Sequence, residues 1–292
     1  MISRRSFVQS AGSLAALSGL APSAAISSEP AGNDAISLDP LETMIRMRGR
    51  TDGELSITWL DAERSLMLDK TIHPLCRMIG LLLTRFRKEG DSYFGNTFEV
   101  MYYCDPETGD ALDTVLLPGA KEPVSVPVYR SGPQELHFKQ SLDLWVHPEP
   151  AKADSSYESF APSASAHIQR QVHKPYSYDG SVYLRGDEYG RIYPDLEKPP
   201  AVFYREWMLW QADADALLKS AAPGVPSTFA YAATSALRPW MKLEGVDGHT
   251  VSNGIGGKVE SMDALPPFLT RLLEVHEPDA LGAPESYVPR YE

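Results

Sequence analysis

Thr97-Phe98-Glu99-Val100-Met101-Tyr102-Tyr103-Cys104-Asp105-Pro106-Glu107-Thr108-Gly109-Asp110 is the stretch that decides the fold. Its first eight residues are strand formers. Alternation puts Phe98, Val100 and Tyr102 on one face and Glu99, Met101 and Tyr103 on the other. The next six place Pro and Gly where a tight turn needs them. Leu112 to Leu117 then returns, so the stretch predicts a β-hairpin.

Working outward, the same grammar recurs. Glu54–Leu60 follows the Asp52-Gly53 turn and reads as a strand, with a second at Arg64–Lys70. Further strands are expected at Pro123–Arg130, Glu135–His147, Ile168–His173, Ser181–Arg185, Ala201–Ala212 and Ser227–Ser235. The Gly/Asn stretch from Val246 to Lys258 reads as a turn-rich hairpin. The apolar run from His73 ends in Arg85, Arg87 and Lys88 before Gly90, which reads as a helix with a basic C-terminus; a core strand reads similarly. Leu265, Phe268, Leu269, Leu272 and Leu273 recur at helical spacing and predict one amphipathic helix. Ser261 or Asp263 is available as its cap, and Pro266 or Pro267 suits its first turn. Pro/Ala/Ser-rich residues 148–166 read as a loop. The expectation is a mainly β domain: an antiparallel curved sheet or β-barrel, lipocalin-like in outline, with a few peripheral helices.

Composition limits the function. The 292 residues carry 27 Lys and Arg against 39 Asp and Glu, a net charge of −12, which argues against nucleic acid and against an anionic lipid surface. A hydrophobic share of 43% supports a globular core, and two cysteines are too few for a disulfide scaffold or a four-thiolate metal site.

The N-terminus reads as an address. Ser3-Arg4-Arg5-Ser6-Phe7-Val8 fits the twin-arginine export pattern, and a weakly apolar run from Ala11 to Leu20 follows. Ser23-Ala24-Ala25 offers a cleavage site. Residues 1–25 are therefore expected to be a signal peptide, 26–40 a flexible leader, and 41–292 one β-rich domain. Removing residues 1–25 takes away two arginines and no acidic residue, so −12 becomes −14. The expected partner is the twin-arginine export machinery, and the expected location is periplasmic or secreted. No stretch of the mature chain is apolar enough for a membrane span. In an oxidising compartment Cys76 and Cys104 either pair or stand as separate buried thiols.

Met47-Arg48-Gly49 with Asp52-Gly53, Tyr102 to Gly109, Arg238-Pro239-Trp240-Met241, and Gly256-Gly257-Lys258-Val259 with Leu265-Pro266 follow one another along the chain. In that order they resemble the domain of unknown function 1838 family. It implies an architecture and an export signal, and supplies no catalytic residue.

No nucleophile elbow, H-E-x-x-H pair, phosphate loop or haem motif is present. Gly254 to Lys258 and Asp105 to Asp110 read as turns. None of the seven histidines forms an H-x-H pair, and neither metal nor cofactor is predicted. Charges embedded among aromatics are more informative, since burial there costs free energy unless the charge is paired or solvated. Glu99 and Glu206 are the candidate acid–base residues. Trp59, Tyr103, Arg205, Trp207, Trp210 and Trp240 are the candidate ligand-binding residues. Two function classes follow: binding of an apolar or aromatic small molecule in a β-barrel pocket, or an isomerase, lyase or hydrolase using acid–base residues in that pocket.

Overall fold

Asp39 starts the ordered architecture by accepting the Glu42 backbone N–H at 2.7 Å, with Pro40 in the first turn of helix α1 (Pro40–Arg48). The computed structural model describes residues 38–146, 165–193, 195–200 and 202–291. The expected signal peptide, all but the end of the expected leader, and most of the expected 148–166 loop lie outside the described residues.

After α1 the chain runs through β1 (Ser56–Leu68), β2 (Thr71–Glu89), β3 (Ser92–Cys104), β4 (Thr114–Val115), β5 (Val124–Ser125), β6 (Tyr129–Phe138) and β7 (Ser141–Val146). It continues with β8 (Ser165–Val172), β9 (Tyr176–Tyr178), β10 (Ser181–Tyr193), β11 (Val202–Asp213), α2 (Ala214–Leu218), β12 (Ser227–Ala236), β13 (Gly248–Val259), α3 (Pro267–His276) and α4 (Pro278–Gly282). The main sheet is antiparallel in the order β6-β3-β2-β1-β13-β12-β11-β10-β8-β7, with β9 added on β10 and a separate β4–β5 ribbon. The first long strand pairs with the last, which joins the two halves. The free edges, β6 and β7, are consecutive in sequence and connected at Lys139–Gln140, so the sheet is a nearly closed barrel. Across this seam Arg170 donates to the His137 carbonyl at 2.8 Å, and the Val172 N–H to the Gln140 carbonyl at 2.8 Å.

Two apolar clusters follow from strand alternation. The interior cluster joins Ala62, Leu66, Met78, Met101, Phe138, Val182, Leu184, Trp210 and Phe229 to Leu41, Met44, Ile45 and Met47 of α1. The outer cluster sets Ile79, Leu81, Leu83, Phe98, Val100 and Tyr102 against Leu265, Leu269, Leu272 and Leu273 of α3 and its approach. Each buried leucine contributes roughly 1.5–3 kcal/mol.

Four sequence expectations change. Residues 73–88 form part of strand β2, not a helix. Its inner face meets the barrel core and its outer face meets α3, so both faces are apolar and the period-2 signature is erased. The basic end that resembled a helix terminus includes Arg85, fully buried, which ties the tail by donating to the carbonyls of Val288 (2.9 Å) and Gly53 (3.0 Å). The expected hairpin at Val246–Lys258 is mostly the single strand β13, and the two expected strands at Glu54–Lys70 are the single strand β1. The predicted amphipathic helix is present as α3, but neither Ser261 nor Asp263 caps it; Pro266 holds that position. Cys76 and Cys104 are both free and buried. Cys76 belongs to the interior cluster and Cys104 to the outer one.

Candidate functional site

The barrel interior is apolar at its walls but carries a connected polar layer. Alternation turns Arg64 (β1), Glu99 and Tyr103 (β3), Arg170 (β8), Glu188 (β10), Tyr204 and Glu206 (β11) and Tyr231 (β12) inward. Arg48 arrives from the last turn of α1. That helix is held in place from both sides. Lys258 donates to the carbonyls of Arg46 and Gly49 at 2.7 Å each, and the Arg46 guanidinium donates to the carbonyls of Leu217, Ser220 and Ala222. Arg238 lies within electrostatic reach of both Glu99 and Glu206. Arg48, Glu99, Glu188 and Glu206 are surrounded by protein yet each keeps part of its surface accessible.

Glu188 and Glu206 are cross-strand partners. Two carboxylates in that position repel, and the surroundings separate their roles. Burial pushes Glu188 up, but Arg170 and Tyr204 pull it further down, so it stays ionised. Arg170 Nε donates to it at 2.7 Å and Tyr204 Oη at 2.9 Å. Among the described residues Glu206 accepts a hydrogen bond only from the Tyr231 hydroxyl, at 3.2 Å; burial and then the Glu188 charge raise its pKa.

Glu99 has no hydrogen bond and no ion pair among the described residues. Burial, then the charge of Glu206, pushes it up to about 7, against the pull of Arg48. A carboxyl that changes protonation near neutral pH and has no structural bond to keep is suited to moving a proton. Arg48 Nε is also without a hydrogen-bond partner. Its guanidinium lies 5.2 Å from the Phe138 ring, and that of Arg170 lies 4.5 Å from the same ring. Arg64 is satisfied, donating to Ser252 Oγ at 2.9 Å and Tyr103 Oη at 3.2 Å. The Trp240 ring lies 5.6 Å from that of Tyr103, and Trp210 lies 4.3 Å from Phe229.

The structure thus brings Glu99, Glu206, Tyr103, Trp210 and Trp240 to the interior side. It sets three other expected ligand-binding residues apart from them. Trp59 packs edge-on against Phe268 of α3. Trp207 and Arg205 alternate outward, and Arg205 stacks over Tyr189. Arg205 borders a surface depression of about 370 Å³ with Tyr189, Phe203 and Thr234; it contains neither Glu99 nor Glu206. Sequence reasoning missed Arg48, Glu188 and Arg170. Glu188 was findable, since it shares a face with Val182, Leu184 and Ile192. Arg170 likewise alternates with Ile168 and Val172. Among the described residues, no three His, Cys, Asp or Glu side chains are grouped to hold a metal ion. No helix there is long and apolar enough to cross a membrane.

The family model described as "Protein of unknown function (DUF1838)" matches residues 53–291. The chain belongs to this family. Every residue of the polar interior layer except Arg48 lies inside the span that defines it as a DUF1838 protein. No curated protein matches the chain. Among solved structures, the crystal structure of Neisserial surface protein A is similar to this DUF1838 protein at 6% identity, covering 70% of this chain and 96% of that one with a TM-score of 0.29. At that score the likeness carries no functional meaning.

Proposed function

We propose that this DUF1838 protein is exported and acts on a small organic molecule inside its barrel, with Glu99 as the proton-transferring group and Glu206 as its electrostatic partner. The observation that carries the reading is Glu99 itself: inward-facing, without a hydrogen bond or ion pair among the described residues, and beside a second carboxylate that keeps it easy to protonate. Glu188, bound by Arg170 and Tyr204, supplies the fixed negative charge that drives the asymmetry. Tyr103 and Trp240 offer the aromatic wall for the substrate's body. The reaction class is isomerisation, elimination or hydrolysis, the chemistries a lone acid–base carboxyl serves.

Simple binding of an apolar or aromatic molecule is the second reading, favoured by the Trp210–Phe229 and Tyr103–Trp240 pairs. The test is turnover of the molecules recovered with the protein from its host, compared in wild type, Glu99→Gln and Glu206→Gln. Loss of turnover in Glu99→Gln with retained binding supports catalysis. Unchanged turnover in both variants removes these residues from the mechanism, and recovered ligands that are never converted favour binding.

Export rests on Arg4 and Arg5 and the small-residue site at Ser23–Ala25, with the twin-arginine machinery as partner and the periplasm or exterior as destination. A fusion reporter carrying Arg4→Lys and Arg5→Lys should stay in the cytoplasm; normal export of that fusion contradicts the assignment.

A further inference from the structure

The protein carries a net −12, yet among the described residues its polar interior balances three guanidiniums, Arg48, Arg64 and Arg170, against three carboxylates, Glu99, Glu188 and Glu206, with Arg238 within electrostatic reach of Glu99 and Glu206. The balance turns positive whenever Glu99 or Glu206 carries a proton. Arg170 is used up by Glu188 and the His137 carbonyl, and Arg64 by Tyr103 and Ser252. Arg48 is not used up. Among the described residues its guanidinium makes no hydrogen bond or ion pair, and its Nε is shielded from solvent. A guanidinium nitrogen shielded from water without an acceptor costs free energy, and an anion that pairs with the group offsets that cost.

Shape narrows the anion. A guanidinium presents a planar fork that matches a carboxylate in two parallel hydrogen bonds. Aromatic rings share this interior: Phe138, itself fully buried, lies under both Arg48 and Arg170, and Tyr103 packs against the half-buried Trp240. We infer that the barrel interior is a binding site for a small carboxylate with a flat apolar body, anchored by Arg48. This rests on the proposed function only in placing the substrate in the same interior as Glu99.

The test uses the full chain at pH 7, with calorimetry and thermal melting in the presence of benzoate, phenylacetate or 4-hydroxyphenylacetate, each beside its primary amide. The carboxylates should bind and raise the melting midpoint, and the amides should not. Arg48→Gln should weaken carboxylate binding by about tenfold or more, the effect of losing a charge-assisted pair. Should Arg48→Gln not fold, the comparison of acid with amide on the wild type decides alone. Equal binding of amides, binding of none of the carboxylates, or a folded Arg48→Gln that binds as tightly as wild type overturns the inference. Glu99→Gln should keep the carboxylate preference. Preference retained, with turnover indifferent to Glu99, defeats the acid–base reading alone; preference lost, with turnover dependent on Glu99, defeats the carboxylate site alone.

Discussion

Glu188 and Glu206 stand directly opposite each other on neighbouring strands β10 and β11, and of the two, Glu188 alone has an arginine ion pair among the described residues. The pair is therefore unequal by construction. Glu188 remains charged, Glu206 is pushed up, and the disturbance reaches Glu99 on β3.

Removing the arginine should expose that repulsion. Arg170→Met leaves Glu188 enclosed with Tyr204 and faced by Glu206, and it breaks the seam contact to His137. A loss of about 3 kcal/mol is expected at pH 8 by denaturant unfolding. Because Glu188 is held below its ordinary value, its stabilising contribution is present above about 4.5 and fades as pH falls further. The gap between variant and wild type should narrow in acid; a gap independent of pH contradicts the assignment.

Glu99 predicts the opposite pH trend. Its folded pKa, about 7, lies above the ordinary 4.5, so stability is highest below 4.5 and falls as pH rises through 7. The groups that set this are Glu206 from β11, Glu188 from β10, Arg48 from α1, and Arg238, and Tyr231 from β12 interacts with both Glu206 and Glu99. Glu99→Gln removes the ionisation cost. It should be more stable than wild type at pH 8, by up to about 3 kcal/mol, and no more stable at pH 4. Melting curves across that range provide the check.

Gly254 tests the junction of the two halves. A Cβ there would lie 2.2 Å from the Asp61 carbonyl oxygen and 2.5 Å from the Ala62 Cα, both backbone atoms of β1. Gly254→Ala should lose more than about 2 kcal/mol. Gly282→Ala, where nothing lies within 4 Å of the added atom, should be close to neutral. Equal melting points for the two variants would contradict the observed β1–β13 pairing.

The cysteines give a chemical test. Cys76 and Cys104 face opposite sides of the sheet, and burial pushes their thiols to about 11 and about 12. Thiol titration should count two free groups after unfolding without reductant, and few before it. A melting point that falls with reductant would point to a disulfide instead.

Much of this architecture was legible in the sequence. The strand at Thr97–Cys104 is built on real alternation, so Glu99 and Tyr103 could be assigned to one face from the sequence, but the expected return at Leu112–Leu117 does not form: past the turn β3 meets only a bridge at Ala111 among the described residues, and Thr114–Val115 pairs with β5 instead. The same rule split Arg205 and Trp207 from Glu206 and Trp210, although it could not tell which face was inside. What failed had physical causes. The β2 strand is buried on both sides and loses its period. The β13 strand is glycine-rich because backbone from β1 and the Phe229 ring approach it closely, not because it turns. Arg48 was invisible as a site residue because its position depends on α1 reaching into the core, a contact made over long sequence separation by Lys258 and Arg46. Trp59 looked like a pocket residue because nothing local reveals that α3 covers its face.

The most direct measurement is the titration of the Glu99 side-chain carboxyl by ¹³C NMR, in wild type and in Glu206→Gln. A midpoint near 7 that falls when the Glu206 charge is removed is the predicted result. A midpoint near 4.5, or one indifferent to Glu206, would contradict an interior acid–base centre at Glu99.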